Sequence, residues 1–193
     1  MSAGTIGRSA ALVALVLAGC STTPIPMAPN FTPPRGSNWP DRDVDMHSGK
    51  AVCHVDVTAV TDIRPDPQSM GKSGVRSVLM TGSTDWVRSG LDSLNRDARI
   101  KLSETPTGAA DLSLAVELVK AYTMNITTER STNVVFRVRF TGKDGAKSEQ
   151  VYRGEYEGNN WSNGEGETLD SFDDALAHLL ANLDHDIVAR CPK

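Results

Sequence analysis

Alternating hydrophobic and polar residues predict the strands of one folded body that begins at Ala51. In residues 51–60, Cys53, Val55 and Val57 share one face of an extended chain, which is typical of a half-buried strand. Strand-like patterns recur in five further segments, which are 75–80, 99–102, 111–122, 134–140 and 151–155. A hairpin turn at Asp144-Gly145 joins the last two of these segments. The pattern therefore predicts a sheet of about five or six strands.

A spacing of three and four residues between apolar positions predicts two amphipathic helices. The first is capped by Ser83 or Thr84 and places Val87, Leu91 and Leu94 on one face. The second is capped by Ser171 and carries a continuous apolar stripe of Phe172, Leu176, Leu179, Leu180, Leu183 and Ile187. Aspartates on its other face favour packing against the sheet over binding to an anionic membrane surface.

The order of these elements is β-β-α-β-β-β-β-α, and most of the strands are joined by hairpins. This order predicts an α+β fold, in which an antiparallel or mixed sheet has two helices packed on one face.

The first 19 residues have the features of a bacterial lipoprotein signal peptide. Arg8 supplies positive charge, and the apolar segment 9–18 is too short to cross a bilayer. It ends in Leu17-Ala18-Gly19-Cys20, which resembles a lipobox, so we expect cleavage before Cys20 and acylation of that cysteine. The alternative is an ordinary secretory signal in which Cys20 is incidental. Ser21 is not the aspartate that retains enterobacterial lipoproteins in the inner membrane, and this favours the outer membrane.

Residues 20–50 are predicted to connect the lipid to the body. Six of the ten prolines of the chain lie between residues 21 and 40, and such a composition favours an extended, polyproline-like segment. We therefore expect a lipidated, proline-rich tether at 20–50 and a single α+β periplasmic domain at 51–193.

The cysteine count predicts one disulfide. Of three cysteines, Cys20 is assigned to lipid, which leaves Cys53 and Cys191 in an oxidising compartment. The alternative is a pair of buried free thiols.

Composition and motifs give little support to catalysis, metal binding or nucleic-acid binding. The net charge is −4, whereas nucleic-acid binding needs a basic surface. His178 and His185 are seven residues apart and lie on one face of the second helix, but no spacing matches a closed metal site. We therefore predict a protein that is not an enzyme, with no catalytic residues, no metal and no cofactor.

Two polar loops, 61–74 and 158–168, are the predicted contact surfaces. The first contains Asp62 and Arg64, and the second contains Trp161 in unusually polar surroundings. One interpretation is that these three residues bind a partner. The other is that Trp161 folds back on the edge of the sheet, while Asp62 and Arg64 form a local turn or ion pair.

The order of these features resembles the YajG-like family of uncharacterised outer-membrane lipoproteins, over nearly all of the mature body. The resemblance is carried by LAGC, the proline-rich stretch, VTAVTDIRPD, LMTGSTDWV, ADLSLAVELVKAY, YRGEY and FDDALAHLL. It implies a lipid-anchored protein at the outer membrane with its body in the periplasm, and it supplies no catalytic residues. The function predicted is binding of a protein or cell-envelope partner. The alternative is an accessory role in lipid or lipopolysaccharide transport or assembly, which an apolar cavity between sheet and helices would favour.

Overall fold

The computed structural model describes residues 23–34, 52–97, 99–105, 108–126, 128–161 and 164–191. Its helices are α1 (Ser83–Asp92) and α2 (Glu165–Arg190), and a short 3-10 helix spans Ser93–Arg96. Its strands are β1 (Ile25–Met27), β2 (Cys53–Asp62), β3 (Ser69–Ser73), β4 (Arg76–Met80), β5 (Ile100–Ser103), β6 (Leu112–Ile126), β7 (Glu129–Gly142) and β8 (Lys147–Asn159).

The long strand β6 organises the sheet. On one side, β6 pairs in parallel with β2 and, further along, with β3 through Gly71 and Thr123. Strand β2 in turn pairs in parallel with β5. On its other side it forms an antiparallel pair with β7, which pairs with β8. Strands β3 and β4 are antiparallel, and β1 runs parallel to β4 at the edge. The prediction of an α+β fold with a mixed sheet and two helices is confirmed.

The predicted number of strands was too low. The described part of the chain forms a sheet of eight strands, against the five or six that we expected. The two unexpected strands are β1, inside the predicted tether, and β3, inside the predicted loop 61–74. β3 is short and polar, and its contact with β6 requires a glycine: Gly71 has φ +95°, and a Cβ there would lie 2.2 Å from the carbonyl oxygen of Thr123.

The core fills the space between the sheet and the two helices. The stripe predicted on α2 is fully buried, and Trp86 of α1 meets Phe172 of α2 edge to face, with 6.3 Å between ring centres. On the sheet, Gly154 of β8 allows α2 to come very close, since a Cβ there would lie 1.8 Å from the carbonyl oxygen of Ala175. Side-chain size at position 154 therefore determines how closely α2 packs on the sheet.

Helix α2 begins six residues before the predicted cap at Ser171. Its first residue is Glu165, after Gly164 in an extended conformation. Glu165 and Glu167 lie in the first turn, where carboxylates interact favourably with the free N–H groups of the helix. Ser171 is buried inside the helix, and its hydroxyl donates to the carbonyl oxygen of Thr168 at 2.8 Å.

The proline-rich stretch begins as part of the body, which corrects the predicted boundary at residue 51. Ile25 is fully buried in β1, and Phe31 is buried against the helices. The backbone N–H of Phe31 donates to Ser89 Oγ at 3.1 Å, and that of Thr32 donates to Asp173 Oδ2 at 3.1 Å. Residues 23–34 therefore pack against the domain instead of spacing it from a membrane.

The predicted signal peptide, Cys20, Ser21 and the later part of the predicted tether, residues 35–50, lie outside the described residues. Within the residues described, no helix has both the length and the apolar character needed to cross a bilayer.

Candidate functional site

The two cysteines of the body form a disulfide. Cys53 at the start of β2 is bonded to Cys191 just after α2, with 5.8 Å between their Cα atoms and 138 residues between them in sequence. The backbone N–H of Cys53 also donates to the carbonyl oxygen of Arg99 at 2.8 Å. The bond therefore fastens the end of the last helix to the first long strand.

Three charged residues lie beside this bond. The guanidinium of Arg99 pairs with Asp97, and its Nη2 lies 3.5 Å from Asp184 Oδ2. Burial, together with the negative charge of Asp97, raises the pKa of Asp184 to about 7, although Arg99 opposes the shift. Among the described residues, the buried Oδ1 of Asp184 has no hydrogen-bond partner. Asp97, Arg99, Asp184 and the disulfide together are called the disulfide end.

Asp62 and Arg64 do not form the predicted contact surface. Arg64 is only 7% exposed, and its Nη2 lies 2.6 Å from Asp62 Oδ2. The guanidinium also donates to two backbone carbonyl oxygens, those of Pro67 at 2.5 Å and Ser69 at 2.8 Å. The loop therefore folds around the guanidinium, and the predicted local ion pair is what the structure contains.

The environment of Asp62 keeps its carboxylate ionised. Burial by itself raises the pKa, but hydrogen bonds from Arg64 and Ser83 outweigh it and hold the pKa of Asp62 below its ordinary value. The hydroxyl of Ser83, the first residue of α1, donates to Asp62 Oδ2 at 2.5 Å. This buried ion pair consequently joins β2, the loop after it and α1.

Trp161 occupies the opposite kind of position. Its side chain is 85% exposed, so the alternative in which the ring folds back on the sheet is wrong. The residue before it is well held: Asn160 donates its backbone N–H to Thr128 at 2.7 Å, and its Oδ1 accepts from Arg130 Nη2 at 2.8 Å. The ring is thus presented to solvent from a fixed backbone. Its predicted role in binding stays a prediction.

Arg130 is the buried residue that organises this region. It is 2% exposed, and its guanidinium donates to Asn125, Ser73 and Asn160. Glu167 of α2 lies 3.8 Å away. Burial lowers the pKa of Arg130, an effect that Glu167 partly offsets, yet an arginine remains charged in these surroundings. Arg130 therefore ties together the ends of β3 and β6, the residue that follows β8 and the start of α2.

Hydroxyl groups continue this polar interior toward the helix. The hydroxyl oxygen of Thr132 lies 2.8 Å from that of Thr123 and 2.9 Å from that of Ser171. The hydroxyl of Thr168 donates to Ser73 Oγ at 3.1 Å. These residues were not predicted from the sequence. The signal was present, because the same period of two that places Val134 and Phe136 inside also places Arg130 and Thr132 inside.

The start of the described chain meets this region. Arg76 Nε donates to the carbonyl oxygen of Thr23 at 2.8 Å, and Arg76 Nη2 lies 3.6 Å from Glu165 at the start of α2. Val75, in the turn between β3 and β4, is 75% exposed. Val75, Arg76, Arg130, Asn160 and Trp161 define what we call the Trp161 end.

The surface cavities formed by described residues include three of about 300 to 500 Å³, and the residues that line these three make no evident catalytic arrangement. One of about 330 Å³ is lined by Glu129, Arg130, Ser131, Glu157, Gly158 and Asn159. Another of about 510 Å³ is lined by Thr32, Pro33, Pro34, Asp170, Asp173 and Asp174. The third, of about 420 Å³, lies on the outer face of the sheet around Arg139 and Glu149. Searched through the described ranges, the chain has no cluster of His, Cys, Asp or Glu suited to a metal ion.

Comparison with known proteins finds similarity in fold alone. No family model and no curated protein matches the chain. In fold, it is similar to a DUF330 protein. That structure, from Xanthomonas campestris, aligns with a TM-score of 0.54 at 10% identity, over 87% of this chain and 94% of the other.

More distant similarities include two other bacterial proteins. A hypothetical protein of Chlamydia trachomatis aligns with a TM-score of 0.46 at 16% identity, over 72% of this chain and 95% of its own. Lipoprotein GNA1162 of Neisseria meningitidis aligns with a TM-score of 0.40 at 11% identity, over 71% of this chain and 99% of its own. At these identities the likeness concerns the path of the chain, so the resemblance to the YajG-like family stays a prediction.

Proposed function

We propose that this chain is a lipid-anchored lipoprotein of the bacterial envelope, whose body is a non-catalytic binding module in the periplasm. The observation that carries the proposal is the position of the lipobox relative to the fold. Cys20 precedes Thr23 by three residues, and Thr23 is already hydrogen-bonded to the body through Arg76. Cleavage before Cys20 would remove the apolar segment and keep all of the described residues that pack on the domain.

The binding function is supported by how the polar residues of the body are used. Asp62, Arg64 and Arg130, which are the most prominent buried charges near its loops, are engaged with other residues of the body. Such groups stabilise the fold and are not free to act on a substrate. The partner of the body is proposed to be a protein or another component of the cell envelope.

The alternative role in carrying lipid or lipopolysaccharide has less support. A carrier needs an apolar cavity, whereas the layer between sheet and helices is occupied by fully buried side chains, among them Leu114, Val116, Phe136, Leu176 and Leu180. We therefore favour a module that binds with its surface.

Mass spectrometry of the mature N-terminus, in protein expressed with its own signal, tests the anchor. The expected result is a chain that begins at Cys20 and carries acyl groups on the thiol and the amine. Cys20→Ala should leave an uncleaved precursor. A mature chain that begins elsewhere and carries no acyl group would contradict the proposal.

The outer membrane is the proposed destination, and Ser21 is the residue that supports it. Ser21→Asp should move the lipoprotein to the inner-membrane fraction without changing its acylation. If both forms are found in the inner membrane, the destination is wrong while the anchor stands.

A further inference from the structure

We propose that the Trp161 end rests on the lipid bilayer, with the side chains of Val75 and Trp161 in its headgroup region. This inference rests on the proposed acylation of Cys20. The proposed contact of Trp161 is therefore with the bilayer and not with a protein partner.

The first argument is the short distance between the lipid and the body. Three residues of fully extended chain span about 10 Å, so an acylated Cys20 stays within that distance of Thr23. Thr23 is hydrogen-bonded to Arg76, which follows Val75, and two residues later Ile25 is paired with Val78 in the sheet. The prolines at 29, 33 and 34 come after β1 and cannot lengthen the connection. The anchor therefore leaves the body at the Trp161 end.

The second argument is the exposure of two apolar side chains there. Val75 is 75% exposed and Trp161 is 85% exposed. Arg130 links residues that lie close to them in sequence, since its Nη2 donates to Ser73 Oγ at 3.3 Å and to Asn160 Oδ1 at 2.8 Å. A tryptophan ring suits the membrane interface because it is apolar over most of its surface and has one N–H donor.

The third argument is that both arginines of this end are paired with glutamates. Arg76 lies 3.6 Å from Glu165, and Arg130 lies 3.8 Å from Glu167. Glu129 and Glu157 are exposed nearby, so anionic lipid would repel this end more than zwitterionic lipid would. We therefore expect contact with a zwitterionic bilayer, weakened when anionic lipid is added.

The orientation has a consequence for the rest of the body. Strand β7 runs from the Trp161 end to the Asp144-Gly145 turn, and its 14 residues place that turn roughly 45 Å from the membrane side. The turn and the disulfide end then face the periplasm, where a partner could reach them.

Quenching of tryptophan emission by lipid tests the orientation. The lipidated full-length protein is reconstituted into phosphatidylcholine vesicles that carry a doxyl quencher near the headgroup. Wild type and Trp161→Phe both contain Trp39 and Trp86, so the emission of Trp161 is obtained by subtracting the spectrum of Trp161→Phe from that of wild type. A matched control moves the reporter to the far turn, with Ala146→Trp added to Trp161→Phe, since Ala146 is exposed there.

We expect the emission of Trp161 to shift to shorter wavelength and to be strongly quenched, while the tryptophan at position 146 is unaffected. Replacing part of the lipid with phosphatidylglycerol should reduce the quenching of Trp161. Equal quenching at the two positions, or an emission maximum of Trp161 at the wavelength typical of water, overturns the inference.

Mass spectrometry of the same reconstituted protein separates this failure from that of the proposed function. An acylated N-terminus with an unquenched Trp161 leaves the lipoprotein assignment intact and rejects the orientation. An N-terminus without acyl groups rejects the lipoprotein assignment, and the orientation is rejected with it.

Discussion

The two ends of this body are closed by different chemistry. At the disulfide end, a covalent bond between Cys53 and Cys191 joins the first long strand to the last helix, next to a buried pair of carboxylates. At the Trp161 end, hydrogen bonds from Arg130 and from buried hydroxyl groups hold the loops together. The polar groups lie inside at this second end, and the apolar side chains of Val75 and Trp161 lie outside.

The difference shows how an amphipathic sheet can end in two ways. A disulfide needs no surrounding core and leaves the surface free to be polar. At a hydrogen-bonded end the polar side chains bond to one another inside the fold, so apolar side chains can lie on its outer surface. An apolar surface at the end nearest Cys20, the proposed site of acylation, is what the proposed contact with a bilayer requires.

Removing the disulfide should have the largest effect and would show how much one end depends on it. The bond closes a loop of 138 residues, and the entropic model gives about 5 kcal/mol for a loop of this length. We expect Cys53→Ala with Cys191→Ala to lower the free energy of unfolding by about 4–5 kcal/mol. Urea denaturation of the oxidised wild type and the double variant measures it, and reduced wild type is the control.

A loss below about 1 kcal/mol would mean that packing of α2 already holds this end closed. In that case the contrast between a covalent end and a hydrogen-bonded end would fail.

Arg64→Ala should have the next largest effect, although the sequence placed this residue on a surface loop. The substitution leaves Asp62 as a buried, unpaired carboxylate and removes the donors to two carbonyl oxygens. Breaking a buried ion pair in this way costs about 3 kcal/mol or more. Urea denaturation at pH 7 should show it, and combining Arg64→Ala with Asp62→Asn should recover part of the loss.

Full stability of Arg64→Ala would contradict the interior position of the guanidinium. Arg64 would then belong to an exposed loop, as the sequence predicted.

The elements that the sequence could predict are those with a long, regular alternation of apolar and polar positions. Strands β2, β6, β7 and β8 and the buried stripe of α2 follow from their periodicity, and counting cysteines predicted the pair at 53 and 191. These signals are local, or depend on very few residues.

The features that were missed depend on partners distant in sequence. Strand β3 pairs with β6 only because Gly71 can approach Thr123, and β1 pairs with β4, about fifty residues further along the chain. The burial of Arg64 likewise depends on the path of its loop, which turns the carbonyl groups of Pro67 and Ser69 toward it. No alternation of apolar and polar residues records such contacts.

Asp184→Asn should have a smaller effect that depends on pH. The pKa of Asp184 is raised to about 7 in the folded protein, so the unfolded chain releases this proton first as pH rises. The free energy of unfolding therefore falls from about pH 4 to pH 7 and then levels off. Asp184→Asn should remove about 1 kcal/mol of this fall between pH 6 and 7, measured by urea denaturation at each pH.

Asp173→Asn is the matched control for that experiment. Burial raises the pKa of Asp173 to about 6, so most of its contribution to the pH dependence of the unfolding free energy lies below pH 6. Between pH 6 and 7 the larger contribution is expected from Asp184. If Asp173→Asn abolishes the slope above pH 6 and Asp184→Asn does not, the titrating group lies near the N-terminal segment and not at the disulfide end.

Trp161→Ala should have the smallest effect on stability, and for that reason it separates a surface role from a structural one. The ring is 85% exposed, and the fixed position of residue 160 depends on Arg130 and Thr128 and not on the ring. Substitutions at such surface positions change the free energy of unfolding by about 0.5 kcal/mol or less. Thermal and urea denaturation of the soluble body should therefore match wild type. Association of the lipidated protein with vesicles should be weaker than that of wild type. Phe136→Ala, at a fully buried position of β7, gives the scale of a core loss for comparison. A melting temperature that falls as far for Trp161→Ala as for Phe136→Ala would place the ring in the core and remove the distinction between the two ends.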